Sequence, residues 1–269
     1  MLSLNEYNKI INLIKQKHRK IITNIFLDNN ELVKILNNQK TKIAYNDDYF
    51  IIFQAEHFKR VFFCFGFEVD FPEILKNIIL TTDNNNNYIF ELVDREKNID
   101  KVSAVFEKSS FKKFAELKRL RTNKILLINF NDKDIKFKIA DESMTDNILE
   151  LLYDTFDEYV SHLPNRQHLL NLIKSKLIFL AVKEDTIVGI ICLENVGNNG
   201  KYLYQIMVDK KFRGQGIAKK LASYAFEKYK NDSLFISWVE SNNTSSIALH
   251  HELGFKEDGL ITVVFKNKE

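Results

Sequence analysis

Residues 202–229 read YLYQIMVDKKFRGQGIAKKLASYAFEKY. YLYQIMV, at 202–208, has the composition of a strand. From Gly214 to Tyr229, Ile217, Leu221 and Tyr224 form one helical stripe, with Lys219, Lys220, Glu227 and Lys228 opposite. Between strand and helix stand Arg213, Gly214, Gln215, Gly216, Ile217 and Ala218. A helix start leaves several main-chain N–H groups without internal partners at the positive end of the dipole, so such a turn attracts phosphate. A β-carbon at Gly214 or Gly216 would hold a pyrophosphate away from those amides, and Arg213 can add a charge-assisted contact. Taken alone, Gly-x-Gly also fits a helix capped by a tight turn.

Working outward, SLFISWV (233–239) is a strand that follows a crossover helix, so it should run parallel to 202–208. Upstream, LIFLAV (177–182) and IVGIICL (187–193) flank Glu184 and Asp185 as a hairpin, and 202–208 returns to complete an antiparallel meander. Ile135 to Ala140 alternates like a strand. Thr145 to Val160 places Ile148, Leu149, Leu152, Phe156 and Tyr159 on one helical face, and a second helix follows Pro164. Downstream, a helix from about Thr244 to Leu253 should end in a left-handed cap at Gly254, with Phe255 folding back. A closing strand, ITVVF (261–265), is expected to complete this half. The fold class is α+β: a mostly antiparallel mixed sheet with flanking helices and one parallel βαβ pair.

Two segments carry a family resemblance. VDKKFRGQGIAKKLASYAFEKYK (208–230) resembles motif A of the GCN5-related acetyltransferase (GNAT) superfamily, with Arg213, Gly216 and Ala218 at the positions of its loop pattern. NTSSIALHHELGF (243–255) is similar to motif B, which Asn opens and Leu-Gly-Phe closes; here these are Asn243 and Leu253, Gly254, Phe255. The resemblance covers about half of the chain. It implies an N-acyltransferase that moves an acetyl or other short acyl group from acyl-CoA, acetyl-CoA in the simplest case, to a primary amine of a small molecule. In such domains the two parallel strands splay apart. The peptide-like pantetheine arm would pair with the backbone of Met207 and Val208 as an added strand, and the pyrophosphate would sit on residues 213–218. Asn243 is counted with the cofactor contacts, and a main-chain N–H near Met207 would face the thioester carbonyl and stabilise the oxyanion.

The departures from the family matter too. Members often carry a Glu on the strand before the loop as general base, whereas this strand offers Tyr202, Tyr204 and Gln205. An alkylammonium of pKa ~10.4 needs a proton acceptor near neutral pH. Glu194, ending the neighbouring strand, is the candidate, and a water relay through Tyr204 is the alternative. Where motif B usually has Tyr to protonate the leaving thiolate, this chain has His250, and an imidazole could serve a thiol of pKa ~8.5. His251 should point elsewhere. His162 and His168 border the region where the family binds its acceptor, and surface positions suit them as well. A non-catalytic acyl-CoA-binding regulatory or interaction protein is the competing reading.

The N-terminal half repeats the plan more faintly. KIAYNDDYFIIFQAEHFKRVFFCFGF (42–67) reads as a three-strand meander, FPEILKNII (71–79) as a helix and NYIFELV (87–93) as a strand. VSAVFEKSSFKKFAEL (102–117) matches SIALHHELGFKEDGL (246–260) in spacing, with Phe111 at the place of Phe255 and Ser110 at that of Gly254. An internal duplication follows, into a degenerate GNAT-like domain at 1–130 and an active-like one at 133–269; two unrelated α+β domains are the alternative. The first copy has Pro72 where the glycine loop would be, which suits a first helical turn but removes a donor. This half is expected not to bind CoA in the usual manner and to buttress the second domain or wall its acceptor pocket.

Composition narrows the partners. The 269 residues suit two domains with a core each. No apolar run approaches the ~20 residues that cross a bilayer, so no membrane is expected. The 39 basic and 36 acidic residues are interspersed, which argues against nucleic acid. MLSLNEYNKIINLIKQKHRK (1–20) reads as an amphipathic helix of a cytoplasmic protein rather than a secretory leader. Cys64 and Cys192 sit in apolar strand-like runs as buried thiols, and no metal-ligand spacing occurs. A monomer or homodimer is expected.

Overall fold

The computed structural model describes residues 2–55, 59–82, 87–107 and 111–267. The chain forms two units, one of Met1–Glu116 with Leu260–Glu269, the other of Leu117–Gly259. Ser110, matched above to Gly254, lies outside the described residues.

In chain order the first half supplies α1 (Leu4–Lys17), β1 (Ile21–Thr23), α2 (Asn29–Leu36), β2 (Lys42–Tyr45), β3 (Tyr49–Ala55), β4 (Lys59–Gly66), α3 (Phe71–Thr82), β5 (Tyr88–Arg95), α4 (Glu96–Glu107) and β6 (Phe111–Thr122). The second half supplies β7 (Lys136–Ile139), α5 (Thr145–Thr155), α6 (Glu158–Ser161), α7 (Arg166–Lys174), β8 (Ile178–Lys183), β9 (Thr186–Asn195), β10 (Gly200–Val208), α8 (Ile217–Glu227), β11 (Leu234–Glu240), α9 (Thr244–Glu252) and β12 (Lys256–Asn267).

Local chemistry sets several boundaries. Ser3 with Glu6 and Asp28 with Glu31 form capping boxes that start α1 and α2. At the end of α9, Gly254 has φ 92° and its N–H donates to His251 O, while Phe255 N–H donates to His250 O. That is the left-handed cap expected there. The single helix expected over Thr145–Val160 is instead two. Phe156 is extended, and the Asp157 side chain accepts from Tyr159 N–H at 2.8 Å, so a local side-chain bond starts α6 afresh. Among the described residues no helix is long and apolar enough to cross a membrane.

The two units share a plan. In the second, β8, β9 and β10 form an antiparallel meander, α8 crosses over, and β11 pairs parallel to β10. In the first, β2, β3 and β4 form the meander, α3 crosses over, and β5 pairs parallel to β4. A long antiparallel strand then closes each sheet, and here the sequence reading needs correction. ITVVF does not complete the C-terminal half: Leu260–Lys266 of β12 pairs with β5 in the first unit. Leu117–Thr122 of β6 pairs with β11 in the second. The units therefore exchange their last strands and do not coincide with 1–130 and 133–269. Alternation tells which face of a strand is apolar, not which neighbour it joins, so the exchange was invisible in the sequence.

The exchange is embedded in packing. Ile261, Val263 and Phe265 enter the core of the first unit, where Phe265 stacks on Phe90 at 4.9 Å and meets Phe106 at 5.7 Å. The second unit's core is built on Leu180, Val188, Ile190, Leu221, Phe226, Phe235 and Phe255. Truncating a buried Phe costs roughly 3–5 kcal/mol. Phe265→Ala should therefore speed hydrogen exchange in β5, whose partner strand it loosens, while β8 keeps its protection. Equal loss in β5 and β8 would contradict this placement of β12.

Candidate active site

The glycine turn has the form a phosphate site requires. Gly214 and Gly216 have φ 78° and 72°, left-handed values that L side chains rarely adopt, and a β-carbon on either would meet no atom of the protein. The space is thus open for a ligand. Gly216 precedes α8 without a side-chain cap and the first turn carries no acidic residue, so its amides are left to solvent or an anion. Ile217 is buried and anchors the helix, Ala218 is half-buried, and Arg213 to Gly216 are exposed. Arg213 Nε donates to Val208 O at 3.0 Å, which holds the guanidinium beside the turn.

The strands on either side come apart. Parallel pairing of β10 with β11 runs from Gly200↔Leu234 to Leu203↔Ser237 and stops. Just there, the register of β10 on β9 slips by one at Tyr204, between Leu203↔Leu193 and Gln205↔Cys192. Beyond the bulge, Asp209 N–H donates to Val188 O. By alternation the main-chain groups of Met207 also face β9, and those of Ile206 and Val208 face the split. The main-chain groups facing the split are therefore those of Ile206 and Val208, the residues on either side of Met207. Met207 instead presents its sulfur at 3.5 Å from the Thr155 hydroxyl of α5.

The first unit closes both features. Among the described residues, parallel pairing of β4 with β5 is Lys59↔Tyr88 and Arg60↔Ile89, and the edge of β4 beyond it is covered by β1, with Ile21↔Gly66, Ile22↔Phe65 and Thr23↔Cys64 in register. Asn24 extends the seal: its N–H donates to Phe63 O, its Nδ2 to Val61 O, and its Oδ1 accepts from Phe63 N–H. The His18 ring stands 2.3 Å from where a β-carbon on Gly66 would be, so the chain packs directly over the end of β4. Sequence reading missed β1, because three apolar-to-polar residues ending at an asparagine look like a turn.

On the side of the second sheet that carries α8 and α9, His250 is buried at 1% exposure. Its Nδ1 lies 2.7 Å from Ser246 O and its Nε2 lies 2.9 Å from Ser237 Oγ. Burial pushes its pKa down to about 4. A neutral ring then donates Nδ1–H to the carbonyl, and Nε2 accepts the Ser237 hydroxyl. This ring has no free N–H for a thiolate, which counts against the direct proton donation expected of His250. The group at the end of the parallel pairing is Ser237, opposite Leu203. Asn243 serves as the N-cap of α9, its Oδ1 accepting from Ser246 N–H at 3.1 Å.

The opposite side of the sheet is covered by α5 to α7, as the bond from Gln205 Nε2 to Ser161 O at 2.7 Å shows. Glu194 stands opposite Tyr202 there, and its Oε1 lies 3.1 Å from His168 Nε2 of α7. The Tyr204 ring lies 5.7 Å from that of Tyr202 and 6.2 Å from that of His168. Burial, helped by the charge of Glu194, raises the Tyr204 pKa strongly, so the phenol stays protonated. Glu240, at the end of β11, is also raised, by burial and then by Asp157. Glu194 and Tyr204 thus come together with His168, while His250 lies on the other face. Among the described residues no three His, Cys, Asp or Glu side chains are placed to hold a metal ion.

A strand, a glycine turn and a helix beside a split parallel pair define an acyltransferase-type fold, and the comparisons agree. Residues 145–255 match the model of the Acetyltransferase (GNAT) family. The chain is similar in structure to a GCN5-related N-acetyltransferase from Sphaerobacter thermophilus, with TM-score 0.61 and 10% identity over 96% of this chain and 90% of that one. It is also similar to an acetyltransferase from the GNAT family of Colwellia psychrerythraea, with TM-score 0.55 and 16% identity over 100% and 98%. A tandem GNAT protein from the clavulanic acid biosynthesis pathway, solved without AcCoA, aligns with TM-score 0.62 and 11% identity over 98% and 96%. No curated protein matches the sequence. Residues 145–255 of the second unit thus carry the GNAT family match, and the whole chain has the fold of a tandem GNAT protein.

The state of His250 has a pH signature. Its folded pKa of about 4 lies below the ordinary 6.5, so the unfolded chain takes up the proton first as pH falls. Its stabilising contribution is complete above pH 6.5 and lost between there and pH 4, by roughly 3 kcal/mol at pH 4. His250→Gln should flatten the dependence of unfolding free energy on pH in that window relative to the native chain. Parallel curves for the two proteins would mean that the ring takes up its proton alike in the folded and the unfolded chain.

Proposed function

We propose that the second unit transfers an acetyl or other short acyl group from acyl-CoA to the primary amine of a small molecule. The observation that carries this reading is the contrast between the units: turn and split are both open in the second and both closed by the chain itself in the first. Bound acyl-CoA would place its pyrophosphate on the amides from Gly214 to Ala218, with Gln215 and Ile217 supplying main chain and Arg213 adding charge. Its pantetheine amides would pair with Ile206 and Val208, and a thioester carbonyl near the Tyr204 bulge would find main-chain donors for its oxyanion.

In this reading the amine arrives from the α5–α7 side and attacks the thioester carbon. The C–N bond forms, the C–S bond breaks, and CoA leaves as a thiolate, already a fair leaving group at a pKa of ~8.5. His250 fixes the Ser237 hydroxyl on the cofactor side and keeps it from wandering. Each chain holds one complete site, so it works as a monomer or within a homodimer, and use of acyl-CoA suits the cytoplasm.

Two measurements with acetyl-CoA test this. Calorimetry on the native chain should give one bound molecule per chain, because β1 and Asn24 occupy the first unit's split; two would overturn that closure. Gly216→Leu should weaken binding at least tenfold, about 1.4 kcal/mol, since its side chain must enter the ligand's space from a left-handed backbone. Unchanged affinity would sink the cofactor assignment, and binding without turnover on any amine would leave an acyl-CoA-binding protein instead.

A further inference from the structure

β10 lacks the acidic residue expected of a base, yet the amine must lose a proton for the amide to form. We infer that His168 is the group that takes it, with Glu194 as its positioning partner; this rests on the acyl-transfer reading above. His168 Nε2 lies 3.1 Å from Glu194 Oε1. A carboxylate only accepts, so its nearness favours the tautomer with the proton on Nε2, which leaves the Nδ1 lone pair free. The imidazole is 43% exposed and stands beside Tyr204, at the bulge where β10 parts from β11. It therefore stands on the α7 side of the sheet, next to the residue at which β10 and β11 part, where the thioester would lie.

Other acid groups surround it. Tyr204 stays protonated and cannot accept. Of the carboxylates on elements packed against α7, Asp146 of α5 is held by Arg166 and Glu142 by Lys174. Glu150 and Asp154 of α5 are exposed, while Glu240 stands at the end of β11 near Asp157. Glu194 of β9 meets the imidazole itself, and Tyr202 of β10 lies opposite Glu194. A carboxylate, ordinarily of pKa ~4.3, is also a poorer match to an ammonium than an imidazole of ~6.5. The balance is simple. The amine nitrogen bonds to the carbonyl carbon and its proton passes to His168 Nδ1. CoA departs with the C–S electron pair, and the imidazolium, stabilised by Glu194, returns the proton to water.

The test uses acetyl-CoA at saturation, the best acceptor from a panel of small primary amines, and kcat/KM for that amine across pH. His168→Gln should lower it by about 10²-fold with acetyl-CoA affinity unchanged, the affinity also reporting that the variant folds. Added imidazole should restore part of the rate to His168→Ala. Glu194→Gln should cost less, and its loss should fall on kcat rather than on the KM for the amine, because the imidazole is present but no longer held in place. Full activity in His168→Gln overturns the assignment, as does a Glu194→Gln loss larger than that of His168→Gln, which would make the carboxylate the base. A native enzyme that releases no thiol with any amine overturns the transfer reading itself, an outcome visible before any variant is made.

Discussion

Everything in this chain turns on a pair of parallel strands that cannot stay together. Once β10 and β11 part after Leu203↔Ser237, one edge of β10 carries N–H and C=O groups that no neighbouring strand satisfies. Main-chain polar groups in a partly buried cleft must find partners somewhere. The first unit solves the problem internally, with β1 and an asparagine whose main chain and amide together make three bonds to β4. The second leaves Ile206 and the N–H of Val208 facing the gap, and only the carbonyl of Val208 is taken, by Arg213. An unsatisfied strand edge that ends in a bare glycine turn has the donors and acceptors that a ligand with amides and phosphates would need.

The same split sorts the polar residues by face. Ser237 and His250 lie with α8 and α9, buried and neutral, in a chain of hydrogen bonds that ends on Ser246 O. Glu194, His168 and Tyr204 lie with α5 to α7, at the half-exposed side. One histidine is thus sealed between two partners, and the other stands half-exposed beside a carboxylate. Burial decides which histidine meets solvent, and position relative to a motif does not.

This explains what the sequence could and could not disclose. The glycine turn, the meander, the crossover helix and the cap at Gly254 were legible because each rests on local chemistry: missing β-carbons, alternation, or a left-handed residue. The candidate residues Glu194 and Tyr204 were legible as a shortage, a strand without its expected acid. Other features were not. Which main-chain groups face the split depends on the bulge at Tyr204, and a one-residue slip reverses every assignment after it. The state of His250 depends on burial by residues far away in sequence. The pairing of His168 with Glu194 joins α7 to β9 across 26 residues of chain, and no spacing rule spans that.

The exchanged strands were the deepest omission, and they bear on why a degenerate unit persists. β6 places Phe111 in the core of the first unit and Leu120 in that of the second. β12 carries Lys256 to Gly259 in the second unit and Ile261, Val263 and Phe265 into the first core. A chain divided near residue 130 would therefore leave each half with its last strand belonging to the other sheet, and each core short of side chains that typically contribute about 1.5–3 kcal/mol apiece. A first unit that bound no acyl-CoA would lack one reason to be kept; the shared strands supply another. The second unit's sheet is closed by Leu117–Thr122, and the strand that follows α9 is anchored by Phe265 among Phe90 and Phe106. Selection on the open site is thus also selection on the aromatic core of the closed one.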